Sequence, residues 1–148
     1  MNIFVLDRNP ALAAKYHCDR HMSKMILESA QMLSTVLGGS YKPTHANHPC
    51  TLWVGASRAN AVWLVQLAYY LNAEWKTRYG HDREHKSAYV IAELVTDNKL
   101  GTLPDAGLTP FALAMPDEYK SEDAVQSYRA YYKSKTFAEW RNGAPSWW

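Results

Sequence analysis

The sequence lacks the residues that several common architectures require. Its only two cysteines, Cys18 and Cys50, lie far apart and form no CxxC pair, so neither a disulfide framework nor a cysteine-rich zinc site is expected. No apolar run reaches the roughly 18 residues that a membrane-spanning helix needs. The first residues, MNIFVLDRNP, contain neither a basic region nor a small-residue cleavage site. We therefore expect a cytoplasmic protein with no membrane partner.

Glycine and net charge are also scarce. The seven glycines are scattered, and the sequence contains no phosphate-cradling loop, Walker motif, GxSxG elbow or DNA-binding zinc pattern. The net charge is only +2, because 16 Lys and Arg oppose 14 Asp and Glu. Duplex-DNA binders usually carry a clustered basic face, so this balance disfavours a dedicated duplex binder.

The composition indicates an ordinary globular protein. With 148 residues, 47% hydrophobic and 20% charged, the chain is expected to form one domain over residues 1–148. The pattern predicts a mainly α fold, a single-domain helical bundle of about four to five helices behind a short N-terminal extended segment. The predicted helices cover residues 16–37, 49–79, 82–96 and 122–140, with a single helical turn at 109–116.

One stretch, YHCDRHMSKMILESAQMLSTVL from Tyr16 to Leu37, contains most of the chemically interesting side chains. As a helix of about six turns, it places its methionine, leucine, isoleucine and valine side chains on one core-facing arc. The spacing of its polar residues predicts a second, narrow stripe of His17, His21, Lys24, Glu28 and Gln31. A solvated helix face is an alternative, but the two histidines and the small neighbouring residues favour a binding surface.

The cations of this stripe predict an anion site. Imidazolium, ammonium and guanidinium groups together bind phosphate well, and nearby tyrosines and tryptophans could stack on a base. In this hypothesis Glu28 reads a nucleobase or a ribose hydroxyl, or else pairs with Lys24 one helical turn away. The predicted ligand-binding residues are His17, His21, Lys24, Glu28, Arg58, His85, Lys86 and Arg129.

Two further chemistries remain open because all six histidines occur in near pairs. An i, i+4 pair on a helix can present two nitrogens to zinc, although the Glu of an HExxH motif is missing here. Alternatively, the first pair and a carboxylate could perform acid–base catalysis, with His21 and Glu28 as the catalytic candidates. The leading hypothesis requires neither a metal nor a cofactor.

The central stretch, together with THANHPCTLW, HKSAYVI, GLTPFALAMPDEYK and SYRAYYKSK, resembles a family of small, largely uncharacterised bacteriophage proteins. The chain is also similar to the phage pyrimidine-dimer DNA glycosylases of the endonuclease V type, which are small and all-helical. In those enzymes a His precedes the catalytic Glu by seven residues, as His21 precedes Glu28 here, and the ending AEWRNGAPSWW is similar to their basic, aromatic C terminus. The resemblance implies a reaction through a free N-terminal amine, although position 2 is Asn instead of the small residue before which Met is removed.

From the residues we expect a protein that binds a small phosphorylated ligand, a nucleotide or cyclic oligonucleotide, without turnover. The resemblance to phage proteins implies a phage-type protein in the host cytoplasm, where the ligand would be an immune signal and its sequestration would counter host defence. The alternatives are a DNA base-excision glycosylase-like enzyme that acts on damaged or modified pyrimidines, and a structural interaction protein. The 6 Trp and 10 Tyr also predict a homo-oligomer, and nucleic acid is a further possible partner.

Overall fold

The helices pack around a buried N-terminal arm, residues 2–6. In the computed structural model, which describes all 148 residues, the side chains of this arm are between 0 and 8% exposed. The arm pairs with no strand, because the structure contains none. Phe4 adopts a left-handed conformation with φ 55°, and the N–H of Leu6 donates to the Phe4 carbonyl at 2.8 Å. This turn bends the arm so that its first residues run towards the second helix, where they meet Glu28.

Six α-helices follow the arm. They are α1 (Pro10–Tyr16), α2 (Met22–Leu37), α3 (Pro49–Ala56), α4 (Arg58–Tyr79), α5 (Lys86–Thr96) and α6 (Ala124–Lys133). Short 3-10 turns cover Asp19–His21, Lys99–Thr102 and Asp117–Tyr119. The mainly α class is confirmed, with six helices in place of the predicted four to five. None of them has the length and apolar character needed to cross a bilayer.

The helix predicted from Tyr16 to Leu37 is interrupted. His17 ends α1 in an extended conformation, and a 3-10 turn precedes α2. Tertiary partners explain the break: the N–H of Cys18 donates to the Tyr132 hydroxyl at 2.9 Å, and that of Asp19 donates to the carbonyl of Glu139 at 2.8 Å. Because these backbone groups find partners outside the helix, the chain need not continue the helical ladder.

The helix predicted for residues 49–79 is also two helices. Ser57 is extended and buried between α3 and α4, and its hydroxyl accepts from the N–H of Asn60 at 3.1 Å, which caps α4. The Asn60 amide in turn donates to the carbonyl of Trp53 at 2.7 Å and so satisfies an acceptor at the end of α3. A buried cap therefore decides this boundary, where the apolar pattern runs on unbroken.

Three smaller predictions also need correction. Helix α5 begins after His85, whose ring accepts from the N–H of Ser87, and not after Asp82. Residues 109–116 form no helical turn and run in an irregular conformation with Phe111 buried. Helix α6 ends at Lys133, well before the predicted residue 140.

The core is one continuous cluster of 30 buried residues. Helix α2 lies at its centre and contacts α3, α4 and α5. Two fully buried tyrosines of α6, Tyr128 and Tyr132, contribute the largest side chains. Their rings pack edge-on against Phe4 of the arm, with ring centroids 6.2 and 5.4 Å away. The arm is thus held between α2 and α6.

Candidate active site

Glu28 meets the start of the chain inside the protein. It projects from the middle of α2 and is 8% exposed. Its Oε1 lies 3.5 Å from the α-amino nitrogen of Met1 and accepts a hydrogen bond from the backbone N–H of Asn2 at 3.0 Å. Its Oε2 lies 3.9 Å from Nζ of Lys24, one turn earlier on the helix. One carboxylate is thus placed between the N-terminal amine and an exposed ammonium group.

The side chain of Asn2 fixes the first turn of the arm. Its Oδ1 accepts from the N–H groups of Ile3 and Phe4 at 2.7 and 3.1 Å, and its Nδ2 donates to the carbonyl of Ala114 at 2.8 Å. These bonds satisfy every polar atom of a buried amide. The amine is therefore presented to Glu28 by an ordered backbone and not by a frayed terminus.

The ring of Phe4 holds the arm from the other side. It stacks on His21 with centroids 4.6 Å apart, and it is only 5% exposed. A left-handed conformation costs a residue with a large side chain about 1–2 kcal/mol, so the surrounding packing has to maintain it. Such strain is common at sites where a protein must position a group for reaction.

His17 and His21 lie buried in the core. Nδ1 of His17 donates to the carbonyl of Ala13 at 2.7 Å, and Nδ1 of His21 lies 2.8 Å from the Tyr132 hydroxyl. Burial lowers the pKa of His17 to about 4 and that of His21 to about 3. Both rings are neutral at pH 7, so the predicted cationic stripe of His17, His21 and Lys24 does not form.

Arg58 and Arg129 do not reach Glu28 either. The Arg58 guanidinium donates to the carbonyl of Gly101 at 3.2 Å and lies 3.7 Å from the carboxylate of Asp105, so it anchors that loop. The Arg129 guanidinium donates to the carbonyl of Leu6 at 2.9 Å and to Asp7 at 3.1 Å. Arg129 thereby fastens the far end of the arm.

The remaining predicted residues, Lys24, His85 and Lys86, come together at an open groove of about 460 Å³ beside Glu28. This basic groove is formed by α2, the loop after it and the start of α5. Its lining includes three lysines and no carboxylate. The lining residues are Ser23, Lys24, Leu27, Gln31, Tyr41, Lys42, Thr44, His85 and Lys86.

Sequence reasoning missed two residues near this site, Lys42 and His48. Lys42 lies in a loop with no periodic pattern that could assign it to a face. His48 caps α3 by accepting from the N–H of Cys50 at 3.0 Å. Burial, and then the positive charge of the N-terminal amine, lower the pKa of His48. The signal that could have found His48 is its position directly before Pro49, where a helix cap is expected.

The site offers amine and carboxylate chemistry. The thiol nearest to it is that of Cys50, and burial raises its pKa to about 11, so it is protonated and a poor nucleophile. The histidine pairs do not join a third His, Cys, Asp or Glu in a metal-binding cluster. The groups that remain are a nucleophilic amine and a carboxylate close enough to exchange a proton with it.

The family comparison falls on this same region. A family model described as pyrimidine dimer DNA glycosylase matches residues 1–87, which is more than half of the 148 residues. No curated protein and no solved structure matches the chain. The matched range contains the arm, Glu28 and all nine residues of the basic groove.

Proposed function

Because the chain belongs to the pyrimidine dimer DNA glycosylase family, we propose that it excises damaged or modified pyrimidines from DNA. The N-terminal amine is the nucleophile and Glu28 is the catalytic acid and base. The observation that carries the proposal is the buried contact between the two: Oε1 of Glu28 lies 3.5 Å from the Met1 amine. This contact explains why a chain would bury its own N-terminal segment.

The proposed reaction begins when the unprotonated amine attacks C1′ of the target deoxyribose. The bond from C1′ to the base breaks, and its electron pair leaves with the base, which takes up a proton. The bond from C1′ to the ring oxygen O4′ then opens, and an imine forms between C1′ and the terminal nitrogen. The two hydrogens of the amine end on the released base and on O4′, and Glu28 is close enough to relay them.

An N-terminal amine suits this task better than a lysine. Free α-amino groups have a pKa of about 7.7–8.0, compared with about 10.4 for lysine side chains, so more of the nucleophilic form exists at neutral pH. The backbone nitrogens of Met1 and Asn2 both lie within 3.5 Å of Oε1 of Glu28. The same carboxylate therefore serves the amine whether or not Met1 is removed.

The expectation of a nucleotide-sequestering protein is wrong, because the family match indicates a DNA glycosylase. The anti-defence role predicted with it loses its basis. The physical reason lies in His17 and His21, which are 0 and 3% exposed. They were expected to supply the positive charge of a nucleotide pocket, and burial leaves them neutral.

The proposed partner is DNA. The protein is expected to act in the cytoplasm, where this DNA is found. A homo-oligomer stays a prediction. It is supported by the exposed tyrosines Tyr69 and Tyr89, which are 69 and 63% exposed on α4 and α5. Large exposed aromatic side chains are common where subunits meet.

The function is tested with a duplex that carries one pyrimidine dimer. Glu28→Gln removes the carboxylate that accepts and returns protons while keeping the shape of the side chain. The excision rate should fall at least about 100-fold, as is usual when a general acid or base is lost. Glu93→Gln, an exposed substitution on α5, is the matched control and should excise at the wild-type rate. Full activity of Glu28→Gln, or no excision by the wild type, would contradict the proposal.

A further inference from the structure

The basic groove is lined by lysines and by no carboxylate. Lys42 and Lys86 line the basic groove, are exposed and pair with no carboxylate within 4.0 Å, while the third lysine, Lys24, has only the 3.9 Å contact with Glu28. Several cations elsewhere are neutralised by ion pairs, namely Arg58, Lys76, Arg78, Lys120 and Arg129. The groove therefore holds two unpaired lysines and a third whose only ion-pair partner is Glu28 of the proposed reacting pair.

Hydrogen bonds hold the walls of the groove in place. The loop that carries Lys42 is fixed to α2, because the N–H of Thr44 donates to the hydroxyl of Thr35 at 3.0 Å. The same loop is fixed to α5 by Tyr41 and Ser87, whose hydroxyl oxygens lie 2.9 Å apart. The lysines are thus mounted on a framework that already exists without a ligand, which reduces the entropy cost of binding.

His85 prepares one further donor. Its Nδ1 accepts from the N–H of Ser87, so the hydrogen of the neutral ring is on Nε2 and is donated to Oγ of Ser23 at 2.8 Å. Burial lowers the pKa of His85, which keeps the ring neutral at pH 7. The Ser23 hydroxyl accepts this bond and keeps its own hydrogen for a ligand in the groove.

The groove lies beside the reacting pair. Its lysine Lys24 lies 3.9 Å from Oε2 of Glu28. Lys24 and Gln31 are about one helical turn before and after Glu28 on α2, so the groove runs along the helix past the position of the carboxylate. An anion that is part of the substrate can occupy the groove while its neighbouring nucleotide reaches the amine.

We propose that the basic groove binds backbone phosphates of the DNA strand next to the nucleotide under attack, with Lys24, Lys42, Lys86 and the Ser23 hydroxyl as donors. This inference rests on the proposed function, because it takes DNA as the substrate. It assigns substrate positioning to Lys42 and Lys86, which take no part in the chemical step.

The test measures how DNA binding depends on salt. Lys42→Ala/Lys86→Ala is made in the Glu28→Gln background, in which excision is slow enough for the binding of a duplex with one pyrimidine dimer to be measured before turnover. The slope of log K against log salt is negative, and each lost phosphate contact reduces its magnitude by about 0.9. The slope of the double variant should therefore be smaller in magnitude by about 1.8. The matched control is Lys99→Ala/Lys133→Ala, which removes the same charge from exposed positions outside the groove and should keep the Glu28→Gln slope. Thermal unfolding checks that all variants are folded.

An unchanged slope in the groove variant would overturn the inference, and so would an equal loss in the control. The result can be separated from the fate of the proposed function, because binding is measured without excision. If the wild type excises nothing while the groove variant still loses slope, the glycosylase reaction is contradicted and the phosphate site is supported. If the wild type excises the dimer while all variants have equal slopes, the reaction is supported and the phosphate site is contradicted.

Discussion

At the scale of single residues, burial decides which side chains near Glu28 can be charged. His17 is fully buried, and this burial lowers the pKa of its ring and keeps it neutral at pH 7. The side chain of Lys24, one helical turn from Glu28, is 60% exposed and keeps its hydration. The polar pattern of the sequence treats both residues alike, because spacing alone carries no information about depth.

The neutral histidines make stability depend on pH. In the unfolded chain an imidazole takes up a proton near pH 6.5, whereas desolvation holds the pKa of His17 at about 4 in the folded protein. Because the unfolded state binds more protons between these values, the free energy of unfolding should fall as pH is lowered from 6.5 towards 4. At 1.36 kcal/mol per pH unit, His17 contributes on the order of 3 kcal/mol to this loss. Urea unfolding at pH 7 and pH 4.5 measures it.

Two variants isolate the contribution of His17. His17→Gln removes the titrating ring and should lose less stability than the wild type between pH 7 and pH 4.5. His45→Gln changes an exposed histidine and should follow the wild type. Equal losses in His17→Gln and the wild type would show that His17 is not a source of the pH dependence.

At the scale of elements, the helices could be predicted from the sequence and several of their ends could not. The apolar period of α2 and the glycine after Leu37 locate that helix well, and its C-cap Gly38 has the expected positive φ of 74°. The breaks at Cys18 and Ser57 depend on hydrogen bonds to Tyr132 and Asn60. The partner of Cys18 lies 114 residues away in sequence, so no local pattern reveals it.

The site was predictable to a similar extent. Glu28 and Lys24 could be named from the helix pattern, because they lie on a regular element. The arm could not be connected to Glu28 by spacing, since a run of four apolar residues fits a strand, an arm or a helix equally well. Lys42 lies in a loop, where position is decided by the bond between Thr44 and Thr35.

The arm itself can be tested through its left-handed residue. Inside a helix or strand, a protein with glycine at a position is less stable than one with alanine there by about 0.5–1 kcal/mol. At a position with a positive φ the order reverses, because alanine is strained there. Phe4 has φ 55°, so Phe4→Gly should be more stable than Phe4→Ala by about 1 kcal/mol, although both lose the aromatic packing. Urea unfolding of the two variants gives the difference directly.

The neighbouring residue provides the control. Val5 is equally buried and does not have a positive φ, so Val5→Ala should be more stable than Val5→Gly. If alanine were the better residue at both positions, the arm would not make the turn that directs its first residues to Glu28.

At the scale of the whole molecule, net charge was a poor guide to partners. A net charge of +2 argues against DNA only if no part of the surface gathers cations, and the lining of the basic groove holds three lysines without a carboxylate. The basic groove places three lysines and no carboxylate in its lining, next to the one buried carboxylate that meets the chain terminus. Net charge therefore says less about a DNA partner than the local charge and burial around the site, which depend on tertiary structure.

The central claim is that the N-terminal amine forms an imine with C1′ of the damaged nucleotide. Sodium borohydride reduces an imine to a stable amine, so a reaction quenched with it should contain protein covalently joined to DNA. Peptide mapping by mass spectrometry should find the DNA on the nitrogen of the first residue, and extra residues fused before Met1 should abolish the adduct while the same residues after Trp148 do not. The absence of any adduct during active excision, or an adduct on a lysine such as Lys24, would contradict the account.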